Sequence, residues 1–410
     1  PHQYTPRSIP HAHLRVAHEG ISMKTDVDSG LLERLRKIGS ILKANVAEGE
    51  RLRRLPQESF DALSGSGLLT MLTPKSMGGL EVDPVSYATV IEDTVKSDPA
   101  AAWTITNPLL WAFFCSRLPD EGAAELLGDD PRALFAASIT PPMEARPVEG
   151  GFRISGDGRF ASNCHHARWI ASVCVVTGDE DSQGSPIWAY ISREDCQILD
   201  TWDVLGMRAT GSDDIRVDGA FVPAYRVFPF TPEITYGPRF QGPLYRFSFI
   251  GIVTAALTPV MLGIARVAVD EAAALARGKT ATGNSSALWM NPSVQSQIAQ
   301  AEATLRAARA LLFQTLDDVW QWVVSEQEVT TEQRADLLLA ATNASESSVR
   351  VVERMHTLAG TSGIYSGNPI ERCFRDIQVA RQHRFYTEGR YETFGRMYFG
   401  LEPDYGMVIL

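Results

Sequence analysis

A run of small polar residues lies near the middle of the chain, at a predicted turn between strands. The run Phe160–Trp169 contains Ser162 and Asn163. Small residues in such a turn let backbone amides approach a flat ligand, and the Ser162 hydroxyl can donate a hydrogen bond to a heteroatom of that ligand. The run therefore predicts either a contact with an aromatic ring system or a simple turn whose polar side chains face water.

A second run combines a tryptophan, a glycine-rich turn, an arginine and two hydroxyl groups. The run Trp202–Ser212 lies between two predicted strands and contains Trp202, Arg208, Thr210 and Ser212. Backbone amides and hydroxyls in this arrangement suit the polar edge of an aromatic cofactor. A β-turn with glycine at positive φ gives the same pattern, so both interpretations stay open here.

His383 is the third candidate for chemistry. It follows a helical pattern that begins at Pro369 and carries Arg372, Arg375 and Asp376. The negative end of a helix dipole favours the charged form of a histidine at the helix C-terminus. A lone histidine is more often structural or exposed, so this position alone does not decide its role.

Several common catalytic motifs do not occur in the sequence. It has no G-x-G-x-x-G after a strand, no G-x-x-x-x-G-K-[ST], no H-E-x-x-H and no G-x-S-x-G. His165 and His166 are adjacent rather than at metal-ligand spacing. We therefore expect no Rossmann nucleotide site, no P-loop, no bound metal and no hydrolase chemistry.

The composition is that of a globular protein. Of 410 residues, 44% are hydrophobic and 21% are charged, which argues against disorder. A formal net charge of −11 makes nucleic acid and an anionic membrane poor partners. The 5 cysteines are odd in number and none are spaced C-x-x-C, so we expect free thiols in a reducing cytoplasm.

Two segments have an alternative interpretation. Histidines cluster in residues 1–22 and could bind a metal, but we expect a flexible arm there, without the apolar core of a signal peptide. The uncharged stretch Phe247–Ala265 reaches the lower length limit for a membrane span. Its own polar residues, and the polar helical patterns after it, predict a buried helix and no membrane contact.

The hydrophobic periodicity predicts an α+β protein whose helices and strands occupy separate regions. Residues 23–131 are expected to form an N-terminal helical domain that begins with one helix over Gly30–Glu48. Residues 132–240 contain short strands, such as Trp169–Val176, typical of a small antiparallel sheet or barrel. Residues 241–410 carry four long alanine- and leucine-rich patterns, which predict a C-terminal four-helix bundle.

Several motifs in a fixed order resemble those of the acyl-CoA dehydrogenase fold, from about Leu31 to Gly400. The N-terminal ones are Arg54-Leu55-Pro56, Pro74 with Gly78-Gly79-Leu80, Asp83-Pro84, and Trp103. Ser162 through Trp169 match S-G-C-x-H-A-x-W with Asn163 in place of glycine, and Trp202 with Gly206 through Ser212 match W-x-x-x-G-[LM]-R-x-T-G-S. Pro369 through Asp376, then His383, match P-[IL]-x-R-x-x-R-D and a histidine. Within this fold the chain is most similar to the flavin-dependent monooxygenases of two-component systems.

The resemblance implies an oxygenase component that uses reduced FMN or FAD delivered by diffusion from a separate NAD(P)H:flavin reductase. Such an enzyme hydroxylates an aromatic or other bulky small molecule through a flavin C4a-hydroperoxide, usually as a homotetramer with flavin between subunits. N-hydroxylation of an amine or amino sugar is the same chemistry on another nucleophile. The resemblance implies two alternative catalytic roles for His383, as a base on the substrate or as a group that stabilises the peroxide. It also implies that Ser162 positions the flavin N5 region or the substrate oxygen. The residues expected to bind flavin are Trp202, Arg208, Thr210, Ser212, Asn163 and Arg277.

The wall of the expected substrate pocket departs from that of the phenol hydroxylases. They commonly carry a second active-site histidine in the helix after Trp103, where this chain has Asn107, Pro108 and Trp111. The wall formed by Trp103, Asn107 and Trp111 is therefore bulkier and more apolar. A larger aromatic, indole-like or terpenoid substrate, or an amine, fits this wall better than a simple phenol.

A true acyl-CoA dehydrogenase with bound FAD is the main alternative. It needs a glutamate to remove the α-proton of a thioester, and the corresponding position, counted from Asp376, is Arg384. Glu388, in the run Thr387-Glu388-Gly389, lies four residues later. A non-catalytic scaffold that keeps the fold and loses the pocket is a further alternative.

Overall fold

The structure is a computed structural model. It describes residues 25–128, 130, 132, 134–178, 182–231, 236–280, 287–387 and 389–408. The expected arm at residues 1–22 and the side chain of Glu388 lie outside the described residues.

The N-terminal part is helical. Its helices are α1 (Ser29–Ala44), α2 (Val46–Leu52), α3 (Gln57–Gly65), α4 (Pro84–Thr94), α5 (Pro99–Phe114) and α6 (Asp120–Leu127). The single helix predicted over Gly30–Glu48 is interrupted at Asn45, which leaves helical geometry between α1 and α2. The side chains of Asp28, Asp83 and Asp98 accept hydrogen bonds from N–H groups in the first turns of α1, α4 and α5, and so fix where these helices begin.

Helix α5 is buried along most of its 16 residues. The two that keep partial exposure are Trp103 and Asn107. Residues four positions apart lie on the same face of a helix, so these two side chains share the one face of α5 that is not fully covered. This face is the part of the N-terminal helices that borders the candidate site.

One sheet occupies the middle of the chain. Its strands are β1 (Phe135–Val148), β2 (Gly151–Gly158), β3 (Trp169–Val176), β4 (Pro186–Ser192), β5 (Cys196–Leu199), β6 (Asp214–Pro223) and β7 (Val227–Pro229). The strand order is β5-β6-β2-β1-β3-β4-β7. Neighbouring strands are antiparallel except β1 and β3, which run parallel. The sheet is therefore mixed rather than purely antiparallel, because β2 and the loop after it return the chain to the same end of the sheet.

Alternate residues of the central strands belong to two different cores. Trp169 and Ala171 of β3, with Trp188 and Tyr190 of β4, join the core shared with the helices. Ile170 of β3 points to the other face, into a smaller apolar cluster within the sheet. This period of two is what a sheet buried on both faces requires, and it fixes the register of the strands.

The C-terminal part is the expected helical bundle. It consists of α7 (Phe249–Gly278), α8 (Pro292–Val324), α9 (Thr331–Ala359) and α10 (Pro369–Ala380), followed by the shorter α11 (Gly389–Tyr398). Helix α9 contacts α7, α8, α10 and α11 and so lies at the centre. Helix α7 is apolar and long enough to cross a membrane, with a mean hydropathy of 1.9 in its most apolar window, but 89% of that window is buried inside the protein. The predicted buried helix over Phe247–Ala265 thus corresponds to the first part of α7, which begins two residues later, at Phe249.

Candidate active site

Two loops of the sheet are joined by backbone hydrogen bonds. One connects β2 to β3 and the other connects β5 to β6. The Ala161 N–H donates to the Asp213 carbonyl at 3.0 Å, and the Asn163 N–H donates to the Thr210 carbonyl at 3.1 Å. Phe160 and Asn163 have φ angles of 61° and 71°, a left-handed geometry that few non-glycine residues adopt. The two polar runs found in the sequence therefore meet in space.

Three hydroxyl groups line up where the loops meet, and we call Ser162, Ser212 and Thr210 the hydroxyl chain. Ser162 Oγ lies 2.6 Å from Ser212 Oγ, which lies 2.6 Å from Thr210 Oγ1. Thr210 Oγ1 donates to the Met207 carbonyl at 2.9 Å. At the other end, Trp103 Nε1 donates to Ser162 Oγ at 3.4 Å. All three hydroxyl side chains are buried.

Trp202 and Arg208 hold the second loop in shape. The Trp202 indole N–H donates to the Met207 carbonyl at 3.2 Å, and Arg208 Nη1 donates to the Val204 carbonyl at 2.7 Å. The Trp202 ring also meets Phe160 edge-on, with ring centroids 6.3 Å apart. Phe160 is 57% exposed, so this pair leaves an aromatic face open beside the hydroxyl chain. The Arg208 guanidinium also donates to Asp203 of the same loop and to the Glu50 carbonyl of α2, so it is already bonded within the protein.

His383 follows the C-terminal end of α10 and is half-buried. Its ring meets Trp103 edge-on, with centroids 5.7 Å apart, and its Nδ1 accepts the Phe385 N–H at 3.3 Å. Burial, with a smaller contribution from the charge of Arg384, lowers the pKa of His383 to about 4. Desolvation therefore outweighs the helix dipole that favoured a charged ring. A neutral ring that accepts at Nδ1 carries its hydrogen on Nε2, which has no partner among the described residues.

Helix α5 brings two of its three expected pocket residues to this place. Trp103 contacts both Ser162 and His383, and Asn107 lies on the same partly exposed face. The Asn107 amide has no hydrogen-bond partner in the described part of the chain. Trp111 is buried and packs against Trp188 of β4, with ring centroids 4.5 Å apart. Its side chain thus belongs to the core between α5 and the sheet.

Helix α10 supports the second loop from behind. Asp376 Oδ1 accepts the Met207 N–H at 2.5 Å, and Arg375 pairs with Glu50 of α2 at 2.9 Å. A side chain at Gly206 would meet the Arg375 backbone at 2.3 Å, so this glycine lets α10 approach the loop. Burial raises the pKa of Asp376 to about 6. Asp376 stands in the α10 sequence motif, whereas nothing local in the sequence marks Glu50 or the Met207 carbonyl.

Two arginines expected near the site lie on the surface. Arg277 is exposed in the last turn of α7 and has no polar partner within the described ranges; residues 281–286, which follow it closely, are not among them. The side chain of Arg384, which occupies the position of the dehydrogenase base, is also exposed.

Cys164, His165 and Asp213 come close enough to be compared with a metal site, with ligand atoms within 4.8 Å of one another. His165 Nε2 lies 2.7 Å from Asp213 Oδ2, and Asp213 Oδ1 accepts the Thr201 and Trp202 N–H groups at 2.9 and 2.8 Å. Burial raises the pKa of the Cys164 thiol to about 12, which disfavours the thiolate that metals bind. Internal hydrogen bonds therefore account for the positions of His165 and Asp213, which hold the two loops together.

A mixed sheet between an N-terminal helical part and a C-terminal four-helix bundle, with its loops facing α5 and α10, defines the acyl-CoA dehydrogenase fold. Two family models agree: the acyl-CoA dehydrogenase N-terminal domain matches residues 37–113, and the C-terminal domain matches residues 255–388. The crystal structure of 3-HSA hydroxylase from Rhodococcus sp. RHA1 superposes with a TM-score of 0.86 at 25% identity, covering 93% of this chain and 99% of that one.

Known relatives narrow the class. Indole-3-acetate monooxygenase of Pseudomonas putida is 32% identical over 88% of this chain and 91% of its own length. The flavin-dependent monooxygenase oxygenase subunit HsaA of Rhodococcus jostii is 26% identical over 90% of this chain and 98% of its own. The chain belongs to the flavin-dependent monooxygenases of the acyl-CoA dehydrogenase fold. It is an oxidoreductase whose cofactor is a flavin, as its motifs predicted.

Proposed function

We propose that this chain is the oxygenase component of a two-component system that hydroxylates a bulky aromatic molecule, with reduced FMN or FAD delivered by a separate NAD(P)H:flavin reductase. One observation carries the proposal. Trp103 of α5 joins two elements that are distant in the sequence: its indole N–H bonds Ser162, in the loop after β2, and its ring meets His383, after α10, edge-on. Hydroxyl groups and aromatic rings therefore border the same site. The relative HsaA, named as an oxygenase subunit, supports the division of labour with a reductase.

The residues around the hydroxyl chain fit a flavin. Phe160 is held exposed beside Trp202 by a left-handed backbone, an arrangement that is costly in water and suited to contact with a flat ring. Ser162 would meet the polar edge of that ring near N5. Asn163 would act through position, because its amide donates to the Phe135 carbonyl at 3.1 Å and so fixes the loop. Arg277 is exposed at the end of α7 without a polar partner in the described ranges, so its guanidinium would be available to a flavin phosphate that extends to the surface. A reduced flavin, when bound, supplies the electrons that activate dioxygen.

His383 would donate a hydrogen bond and not accept a proton. Its lowered pKa makes it a weak base at neutral pH, and Nδ1 is already occupied by the Phe385 N–H. A hydrogen on Nε2 can stabilise negative charge that develops on an oxygen atom in the pocket. Of the two roles that the resemblance implies for His383, the structure therefore favours stabilisation of an oxygen over base catalysis.

The substrate would be larger than a simple phenol. Trp103 offers an aromatic surface, and the Asn107 amide offers a donor and an acceptor to a ring substituent. The relative from Pseudomonas putida is named for an indole compound, which agrees with a wall of this kind. Fused aromatic rings that carry a polar substituent are the class that we propose.

The test is an assay with a generic flavin reductase, NADH, FMN or FAD, and a panel of indoles, phenols and amines. We expect a hydroxylated product that contains one atom from labelled O₂, formed only when the reductase is present. Catalase is added so that free hydrogen peroxide cannot be the oxidant. Oxidation of an acyl-CoA thioester with an artificial electron acceptor, without reductase, would instead establish the dehydrogenase alternative.

The same proposal includes a homotetrameric assembly and a location in the cytoplasm. Large apolar side chains are exposed on or near the C-terminal bundle, as expected if it packs against further copies in a homotetramer; they are Trp289, Met290, Ile364, Tyr365, Tyr398, Phe399 and Leu401. The cysteines are free and buried, which supports a reducing cytoplasm. Light scattering on the purified protein measures the assembly, and a monomeric mass would contradict the tetramer.

A further inference from the structure

The hydroxyl chain has a preferred direction. A hydroxyl has one hydrogen, and a carbonyl oxygen can only accept. Because the chain ends on the Met207 carbonyl, the hydrogen of Thr210 points there, at 2.9 Å. Ser212 then donates to Thr210 and Ser162 donates to Ser212, each over 2.6 Å. In this direction every hydroxyl hydrogen is used inside the protein.

The opposite direction is less favourable for two reasons. It would bring the lone pairs of Thr210 Oγ1 and of the Met207 carbonyl together at 2.9 Å with no hydrogen between them. It would also leave the hydrogen of Ser162, a buried side chain, in need of an acceptor outside the chain. The Trp103 indole N–H donates to Ser162 in either direction; in the first direction it uses one of the two lone pairs of Ser162 Oγ and leaves the other for a ligand.

We infer that Ser212 and Thr210 are positioning residues that fix Ser162 as a hydrogen-bond acceptor, so that it recognises the N5–H of reduced flavin and rejects the bare N5 of oxidised flavin. The inference rests on the proposed contact between Ser162 and the flavin. Its chemical basis is that N5 is a donor in the reduced ring and an acceptor in the oxidised ring. Ser212 and Thr210, expected from the sequence to bind the flavin edge directly, would then act through Ser162.

The first test uses the wild-type protein and altered flavins. Dissociation constants of FMN are measured for the oxidised and the reduced form by anaerobic titration, and we expect tighter binding of the reduced form. In 5-deaza-FMN a carbon replaces N5, so neither form presents a donor or a lone pair there, and the preference should shrink about three- to tenfold, the value of roughly one hydrogen bond. In 1-deaza-FMN, with N5 intact, the preference should persist.

The second test releases Ser162. In Ser212→Ala the Ser162 hydroxyl loses its acceptor and can turn towards the ligand. We expect oxidised FMN to bind about three- to tenfold more tightly, with the affinity for reduced FMN unchanged. Thr210→Val should act in the same direction, and Thr210→Ser should restore the wild-type preference. Thr94→Val is the control, because the Thr94 hydroxyl is also buried and, among the described residues, bonds within α4 to the Val90 carbonyl at 2.7 Å.

The outcomes separate this inference from the proposed function. If Ser212→Ala weakens both flavin forms equally, Ser212 contacts the flavin directly and the inference is overturned. The same holds if 5-deaza-FMN keeps the full preference in the wild type, a result that does not depend on any variant folding. If neither form of FMN or FAD binds to the folded wild-type protein, the proposed function itself fails.

Discussion

The hydroxyl chain and the expected substrate pocket beside His383 share Trp103, yet their polar groups are arranged in opposite ways. In the hydroxyl chain every hydroxyl has a partner inside the protein. In the pocket, Nε2 of His383 and the amide of Asn107 have no partner among the residues that the structure describes. The first region is complete as it stands and can only hold a fixed orientation. The second has hydrogen-bonding capacity that a substrate or an oxygen atom can use.

The largest expected effect comes from removing the open donor of the pocket. His383→Ala should lower the rate of hydroxylation by about 10²–10⁴-fold and leave flavin binding and the fold intact. His383→Gln, which keeps an N–H donor without a titrating ring, should recover part of that loss. Steady-state rates with a reductase supplied measure both variants.

The control for this prediction is His356→Ala, because His356 bonds the Gly363 carbonyl at 3.0 Å within the bundle. That variant should change stability more than rate. Wild-type turnover in His383→Ala would mean that His383 is structural.

Substitutions of the two tryptophans of α5 should have different effects, because Trp111 lies in the core and Trp103 borders the expected pocket. Trp111→Ala should lower the free energy of unfolding by about 3–5 kcal/mol, because it removes a buried ring that packs on Trp188. Trp103→Ala should cost less stability and raise the KM for substrate more. Denaturant titration and substrate kinetics test the pair; if Trp111→Ala raises KM and leaves stability unchanged, Trp111 lines the pocket after all.

The pH dependence of kcat/KM that comes from His383 should be small. With its pKa lowered to about 4, His383 stays neutral from pH 5.5 upwards, so kcat/KM should show no acid limb from this residue between pH 5.5 and 8. A base with the ordinary histidine pKa of about 6.5 would lose activity tenfold per pH unit below that value. The profile is measured with a substrate that does not titrate in this range. An acid limb near pH 6.5 that disappears in His383→Gln would restore the role of base.

The smallest effect is expected at Glu388. A monooxygenase needs no carboxylate to remove a carbon-bound proton, so Glu388→Gln should leave hydroxylation nearly unchanged. The variant and the wild type are compared in the reductase-coupled assay and in thioester oxidation with an artificial acceptor. Thioester oxidation that is present in the wild type and lost in the variant would support dehydrogenase chemistry.

Local periodicity was enough to predict most of the helices and strands around these two regions. The apolar run Trp169–Val176 coincides with β3, and the four long helical patterns became α7 to α10. The strands β5 and β7 were not predicted, since 4 and 3 residues are too few to show a period of two. The parallel pairing of β1 and β3 could not be predicted from local pattern either, because it depends on how the whole sheet is threaded.

The site shows the same limit. Types and spacing singled out Ser162, Thr210 and Ser212, but their contact depends on two loops meeting across the sheet. The family resemblance placed Trp103, Asn107 and Trp111 together in the pocket wall, and it could not tell that the sheet covers the last of them. The charge of His383 was misjudged because the dipole can be read from the sequence, whereas burial cannot.

The contacts of α10 also have a consequence for how the protein folds. The hydrogen bond between Met207 and Asp376 spans 169 positions, and the ion pair between Glu50 and Arg375 spans 325. Contacts this distant close large loops and form late, after local helices and hairpins. During synthesis, α2 and the sheet loops therefore leave the ribosome well before α10, whose Arg375 and Asp376 contact them in the folded protein. The candidate site is therefore completed only when α10 is in place, and a partly made chain holds Thr210 and Ser212 without the contact from Asp376 behind their loop.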